Sequence, residues 1–184
     1  MTRRIDAVSQ PADGSLRLRL AYLSVAIGVI VLDQITKAAV AARIPLHATV
    51  GVIPGFFDLT HVRNTGAAFG ILAGQASSGR TLLLTGVALV VFCGVVFYAW
   101  RSPARDAVLQ TALAFISGGA VGNLIDRIRF DSVTDFLRFY VGAHEWPSFN
   151  VADSAITAGV FLLAWDIWRR PGSDRPSTAG KAPA

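Results

Sequence analysis

Cysteine is all but missing from this sequence: Cys93, inside the apolar run LVVFCGVVF, stands alone. One thiol closes no intrachain disulfide and builds no thiolate metal site, so Cys93 reads as a small packing residue. Histidine is scarce too. His47, His61 and His144 all fall between the long apolar runs and none belongs to an HExxH pattern, which removes the usual zinc-protease arrangement. Ser117 and Ser154 have no histidine on a neighbouring apolar run to serve as base. A serine–lysine pair built on Lys37 competes with Asp33, four residues earlier on the same helix face. Charged residues make up only 16% of the chain, below the roughly 25% of a soluble domain. No internal repeat and no lipobox are visible.

What the chain does have is apolar length. It is 53% hydrophobic with a mean hydropathy of +0.50, and a helix needs about 20 apolar residues to cross the hydrocarbon core. Residues 20–42, 82–100, 107–125 and the shorter 155–168 qualify, which points to an all-α membrane protein with four transmembrane helices. The first run, preceded by Arg17 and Arg19 and ending in Ala41 and Ala42, resembles a cleavable leader. Asp33 and Lys37 inside it argue against that reading. In this setting the net charge of +5 and pI near 10.1 serve topology and anionic headgroups, and no nucleic-acid partner is expected.

Basic residues decide the orientation. Arg3, Arg4, Arg17 and Arg19 precede the first run, Arg101 and Arg105 join the second to the third, and Arg169, Arg170, Arg175 and Lys181 follow the fourth. Both termini are therefore expected in the cytoplasm, with Trp100, Trp165 and Trp168 as an inner aromatic belt. Residues 1–19 and 171–184 read as disordered cytoplasmic tails around a single membrane domain, 20–170. In the outer loops, 48–53 and 56–62 flank the turn residues Pro54 and Gly55, and 132–141 is a further strand-compatible stretch, so a small external β platform is expected.

The polar residues converge. With the termini inside, Asp33 and Lys37 fall in the outer half of the first span, Asn123, Asp126 and Arg127 at the outer end of the third, and Asn150 and Asp153 at the outer start of the fourth. Asn64 and Asp135 lie in the outer loops. Charged groups at membrane depth read as functional by default, with structural pairing as the competitor. A transporter should instead carry carboxylates near the midplane with access from both sides. A small transporter or lipid-handling protein is the competing class, and a noncatalytic assembly subunit the third. Carboxylates and water remain as the chemistry. Two aspartates held together share one proton, giving a base that activates water and an acid for the carbonyl and the leaving nitrogen. Asp33, Asp126, Asp135 and Asp153 are the candidates, and spacing alone does not choose among them.

DQITK at 33–37, NTGAAF at 64–69, GGAVGNLIDR at 118–127, VTDF at 133–136 and FNVADS at 149–154 resemble, in order and approximate spacing, the motifs of prolipoprotein signal peptidases, the signal peptidase II family of aspartyl peptidases. The resemblance spans about 20–170, and Thr134 stands where a branched apolar residue is more usual. It implies Asp135 and Asp153 as the catalytic pair, with Asn64, Asn123, Arg127 and Asn150 lining the site or binding substrate. Asp33, Lys37 and Asp126 read as a structural polar network, and Gly118 and Gly122 as a helix-packing GxxxG. It further implies a monomer of the bacterial inner membrane, its active site toward the outer leaflet, that binds membrane lipid and cuts diacylglyceryl prolipoproteins just before the lipidated cysteine. Neither cofactor nor metal is expected, an external β cradle grips the substrate, and the cyclic peptide globomycin inhibits.

Overall fold

The computed structural model describes residues 12–66 and 78–169. Four helices, α1 Ala12–Arg43, α2 Ser78–Arg101, α3 Ala107–Phe130 and α4 Val151–Arg169, are long and apolar enough to cross a membrane. A small antiparallel sheet takes its strands, β1 Thr49–Ile53, β2 Phe57–Asn64, β3 Val133–Val141 and β4 His144–Glu145, from the two connections at one end of the bundle, in the order β1-β2-β3-β4. The expected four-span architecture and its β platform are both present.

The bounds differ from the expected spans for local reasons. α1 begins at Ala12 rather than near residue 20: no proline lies between Pro11 and Pro45, and Arg19 is held by the carbonyls of Ala99, Trp100 and Ser102. Residues 12–19, read from sequence as part of the tail, are thus helical; residues 1–11 and 170–184 lie outside the described ones. α4 starts at Val151, four residues ahead of the expected 155. Asn150 and Asp153 there form a reciprocal cap: the Asp153 N–H donates to Asn150 Oδ1 (2.9 Å) and the Asn150 N–H to Asp153 Oδ2 (3.3 Å). Cys93, expected to pack, is exposed on α2.

α3 is the centre. It packs on α4, α1 and α2, whereas α1 and α2 scarcely meet. The approach is close because of glycine: a Cβ on Gly118 would lie 2.7 Å from the Ala26 carbonyl of α1, and one on Gly122 would lie 2.6 Å from Asp33 Oδ2. The GxxxG thus packs helices and also makes room for a carboxylate.

At the sheet end, Val40, Ile44 and Phe136 form a buried apolar cluster that joins α1 to the sheet. His61 Nδ1 lies 2.8 Å from the Ile44 carbonyl; that oxygen only accepts, so Nδ1 carries the proton. Gly55 turns β1 into β2 with φ 79°, the left-handed region that favours glycine. Phe57, Phe139 and Phe149 stack, at 4.7 and 5.8 Å between neighbouring ring centroids. Residue 149 is also tied to β3 by its backbone: the Phe136 and Leu137 N–H groups donate to the Phe149 carbonyl at 3.0 and 2.8 Å, and the Phe149 N–H donates to the Leu137 carbonyl at 3.1 Å. That bridge lays the start of α4 beside β3.

Candidate active site

Asp135 lies on β3 and Asp153 in the first turn of α4. The Phe149–Leu137 bridge sets them on either side of Asn150, whose side chain is fully buried. Asn150 Nδ2 donates to Asp135 Oδ1 at 2.7 Å, while its backbone N–H faces Asp153 Oδ2. The other oxygens are held by amides from two further elements: Asn64 of β2 donates to Asp135 Oδ2 at 2.9 Å, and Asn123 of α3 to Asp153 Oδ1 at 2.8 Å. Side chains from four separate stretches of sequence therefore meet on two carboxylates.

The amide orientations are not free. Lys37 Nζ, 3.0 Å from Asn123 Oδ1, only donates, so the Asn123 oxygen faces it and the NH2 faces Asp153. Asn64 Oδ1 accepts from the Gly66 N–H at 2.9 Å, which turns its NH2 to Asp135. Asn150 Oδ1 is taken by the α4 cap, leaving its NH2 for Asp135, Asn123 Oδ1 and the Thr134 carbonyl. Each of the four carboxylate oxygens thus accepts a hydrogen bond from an amide N–H.

Burial pushes the Asp135 carboxyl up to about 7; the nearby Asp153 charge adds to this, and the bonds from Asn64 and Asn150 and the charge of Lys37 oppose it. Asp135 is only 3% exposed. A carboxyl in that range is about half protonated at pH 7.

Beneath the pair lies an ionic layer. Lys37 Nζ is 2.8 Å from Asp33 Oδ2 and 3.5 Å from Asp126 Oδ2, all three side chains being at most 4% exposed. Asp33 Oδ1 accepts the Ala152 N–H and Asp126 Oδ2 the Thr134 N–H, both at 2.9 Å. These bonds hold the two segments that carry Asp153 and Asp135. A buried ion pair is a weak source of net stability but costly to break from one side.

The residues read from sequence are brought together here, though one of them without a bond. Arg127, on the last turn of α3, lies within reach of the charges of Asp153, Asp135 and Asp126, but its side chain makes no hydrogen bond or ion pair with the described residues. Residues 67–69, the end of the NTGAAF motif, lie outside those described. Gln34 was missed: its Nε2 donates to Asp33 Oδ2 (3.2 Å), the Gly122 carbonyl (3.1 Å) and Asp126 Oδ1 (3.2 Å). An amide beside Asp33 at membrane depth was the available signal.

The signal peptidase II family model matches residues 25–169. The chain belongs to the signal peptidase II family. It is 46% identical to the lipoprotein signal peptidase of Syntrophus aciditrophicus over 76% of this chain and 86% of that one. It is 45% identical to that of Nitratidesulfovibrio vulgaris over 88% and 96%. Two solved bacterial membrane enzymes share the fold, with TM-scores of 0.71 and 0.66, identities of 28% and 30%, and coverage of 87% and 80% of this chain, 94% and 92% of theirs. As a signal peptidase II, the chain is an aspartic peptidase of the membrane.

Proposed function

We propose that this signal peptidase removes signal peptides from diacylglyceryl prolipoproteins, cutting before the lipidated cysteine, with Asp135 and Asp153 as its catalytic pair. The observation that carries the reading is the enclosure of two neighbouring carboxylates by amide donors from β2, α3 and α4. Asp135, its carboxyl pushed up to about 7, holds the shared proton and hydrogen-bonds the scissile carbonyl. Asp153 is the base that takes a proton from the attacking water. Asp135 then protonates the leaving nitrogen as the tetrahedral intermediate collapses, and the proton taken by Asp153 restores the pair.

Asn64, Asn123 and Asn150 hold the carboxylates in place, and the Arg127 guanidinium, which makes no hydrogen bond or ion pair among the described residues, is available to substrate carbonyl oxygens. Asp33, Lys37 and Asp126 form the structural layer that fixes the dyad's backbone. The positive-inside count puts both termini in the cytoplasm and the sheet outside, so water reaches the bond from the outer leaflet. The test is single-turnover cleavage of a diacylglyceryl prolipoprotein by the purified protein in detergent, together with impermeant-reagent labelling of cysteines placed at Glu145 and at Lys181. Cleavage before the lipidated cysteine with labelling at Glu145 alone is expected. No cleavage overturns the activity, and labelling at Lys181 from outside overturns the orientation.

A further inference from the structure

A trough of about 370 Å3 runs along the face of α3 that α1 and α2 leave uncovered. Leu20, Leu23 and Ile27 form one wall, each about half exposed and repeating at helical spacing. Val96 and Trp100 of α2 form the other, and Leu113, Ala114 and Ser117 of α3 the middle of the floor. The small Ala114 and Ser117 there let a further helix approach closely in a lipid setting.

The two ends of the trough differ. One end reaches Ile30 and Val121, less than a turn before Asp33 and directly before Gly122 and Asn123, so it opens beneath the carboxylate layer. The other is closed where Arg19 and Gln110 bind the last carbonyls of α2. We propose that this trough receives the apolar helix of the signal peptide, the part of the substrate that precedes the cleaved bond. The proposal rests on the peptidase reading above. A substrate whose bond lies at the dyad must send its preceding segment toward the opposite end of the bundle, and the trough follows that path. From Leu16 to Ile30, both lining residues, α1 rises about 21 Å at roughly 1.5 Å per residue. That matches a helix of about 14 residues, at the upper end of the roughly 7–15 apolar residues of a signal peptide. A phospholipid acyl chain is the competing occupant, but the Arg19 guanidinium, the cation at the closed end, is already committed to three carbonyls rather than to a headgroup.

The test uses the full chain in membrane vesicles with a diacylglyceryl prolipoprotein as probe and a photoreactive residue in place of Leu23, Val96 or, on the lipid-facing side of α4, Phe161, which is 72% exposed. Adducts to the apolar segment of the prolipoprotein are expected from Leu23 and Val96 and not from Phe161. Adducts from Leu23 to phospholipid alone assign the trough to lipid and overturn the proposal. In parallel, Leu23→Trp narrows the trough at an exposed position. It is expected to raise KM for the prolipoprotein roughly tenfold, since packing and not hydrophobicity drives association in lipid. The kcat and the thermal midpoint stay unchanged, and Phe161→Trp shifts none of the three. An unchanged KM in Leu23→Trp sinks the trough as a docking site. Failure of the unsubstituted protein to cleave at all is a different result, because it overturns the peptidase reading.

Discussion

Polar side chains sit at membrane depth at both ends of this bundle, and their partners differ. At the end away from the sheet, Arg19 and Gln110 donate to the carbonyls of Ala99, Trp100, Ser102 and Pro103. Those oxygens belong to the terminus of α2 and the turn after it, where a helix leaves carbonyls without intrahelical donors. At the sheet end, Asn64, Asn123 and Asn150 donate to the carboxylates of Asp135 and Asp153. The first arrangement finishes a helix and has nothing left to exchange. The second surrounds two groups that can titrate. In a membrane protein, a polar residue within a span is therefore read by what it ends on: a backbone carbonyl marks a cap, and an ionisable group in a shared site marks chemistry.

The sharpest way to break this contrast is to remove one carboxylate charge. Asp135→Asn and Asp153→Asn are each expected to lower single-turnover cleavage by about 10⁴-fold or more while the protein stays folded and still binds the prolipoprotein. The double variant should be little worse, because the pair acts as a unit. Substantial cleavage by either single variant would move the assignment to Asp126.

A smaller effect is expected beneath the dyad. Lys37→Met leaves Asp33 and Asp126 buried without their cation, a loss of about 3–5 kcal/mol for a broken buried pair. It also removes the donor that orients Asn123. Folded yield should fall further than turnover per folded molecule, measured by thermal unfolding and active-site titration on one preparation. A well-folded but inactive variant would transfer Lys37 from the structural layer to the catalytic one.

The third expectation concerns pH. The folded carboxyl of Asp135 sits near 7, above its ordinary value of 3.8, so between these values the folded state keeps a proton that the unfolded chain has released. Stability from this group is complete below about 4 and is lost as pH rises toward 7. Asp135→Asn should therefore become progressively more stable than the native protein across that window, with a flat difference above it. Cleavage by the native protein should decline above about pH 7 as the shared proton leaves. A stability difference that shrinks with rising pH would reverse the assignment of the proton to Asp135.

The smallest effect belongs to the other end. Gln110→Leu removes donors to carbonyls and should cost about 1–3 kcal/mol of stability with no change in turnover or in its pH dependence. A shifted pH profile would show that the two ends communicate.

The sequence by itself determined the membrane class, the four spans and the strand-forming stretches, because apolar length and local periodicity are one-dimensional properties. It also carried the signal for the start of α4, in the three-residue spacing of Asn150 and Asp153. Apolar counting overlooked that signal, since both residues are polar. Cys93 was misjudged for a related reason: in lipid, an apolar run says nothing about which of its faces is packed. What only the tertiary structure decided is which carboxylates become neighbours. Asp33, Asp126, Asp135 and Asp153 all lie near one end of the bundle, and spacing treats them alike. The bridge from Phe149 to Leu137 places Asp135 beside the cap of α4, whereas Lys37 draws Asp33 and Asp126 into ion pairs. Pairing between groups far apart in sequence depends on backbone contacts that no local pattern encodes. It is this pairing that sets Asp135 and Asp153 under amide donors and binds Asp33 and Asp126 into ion pairs with Lys37.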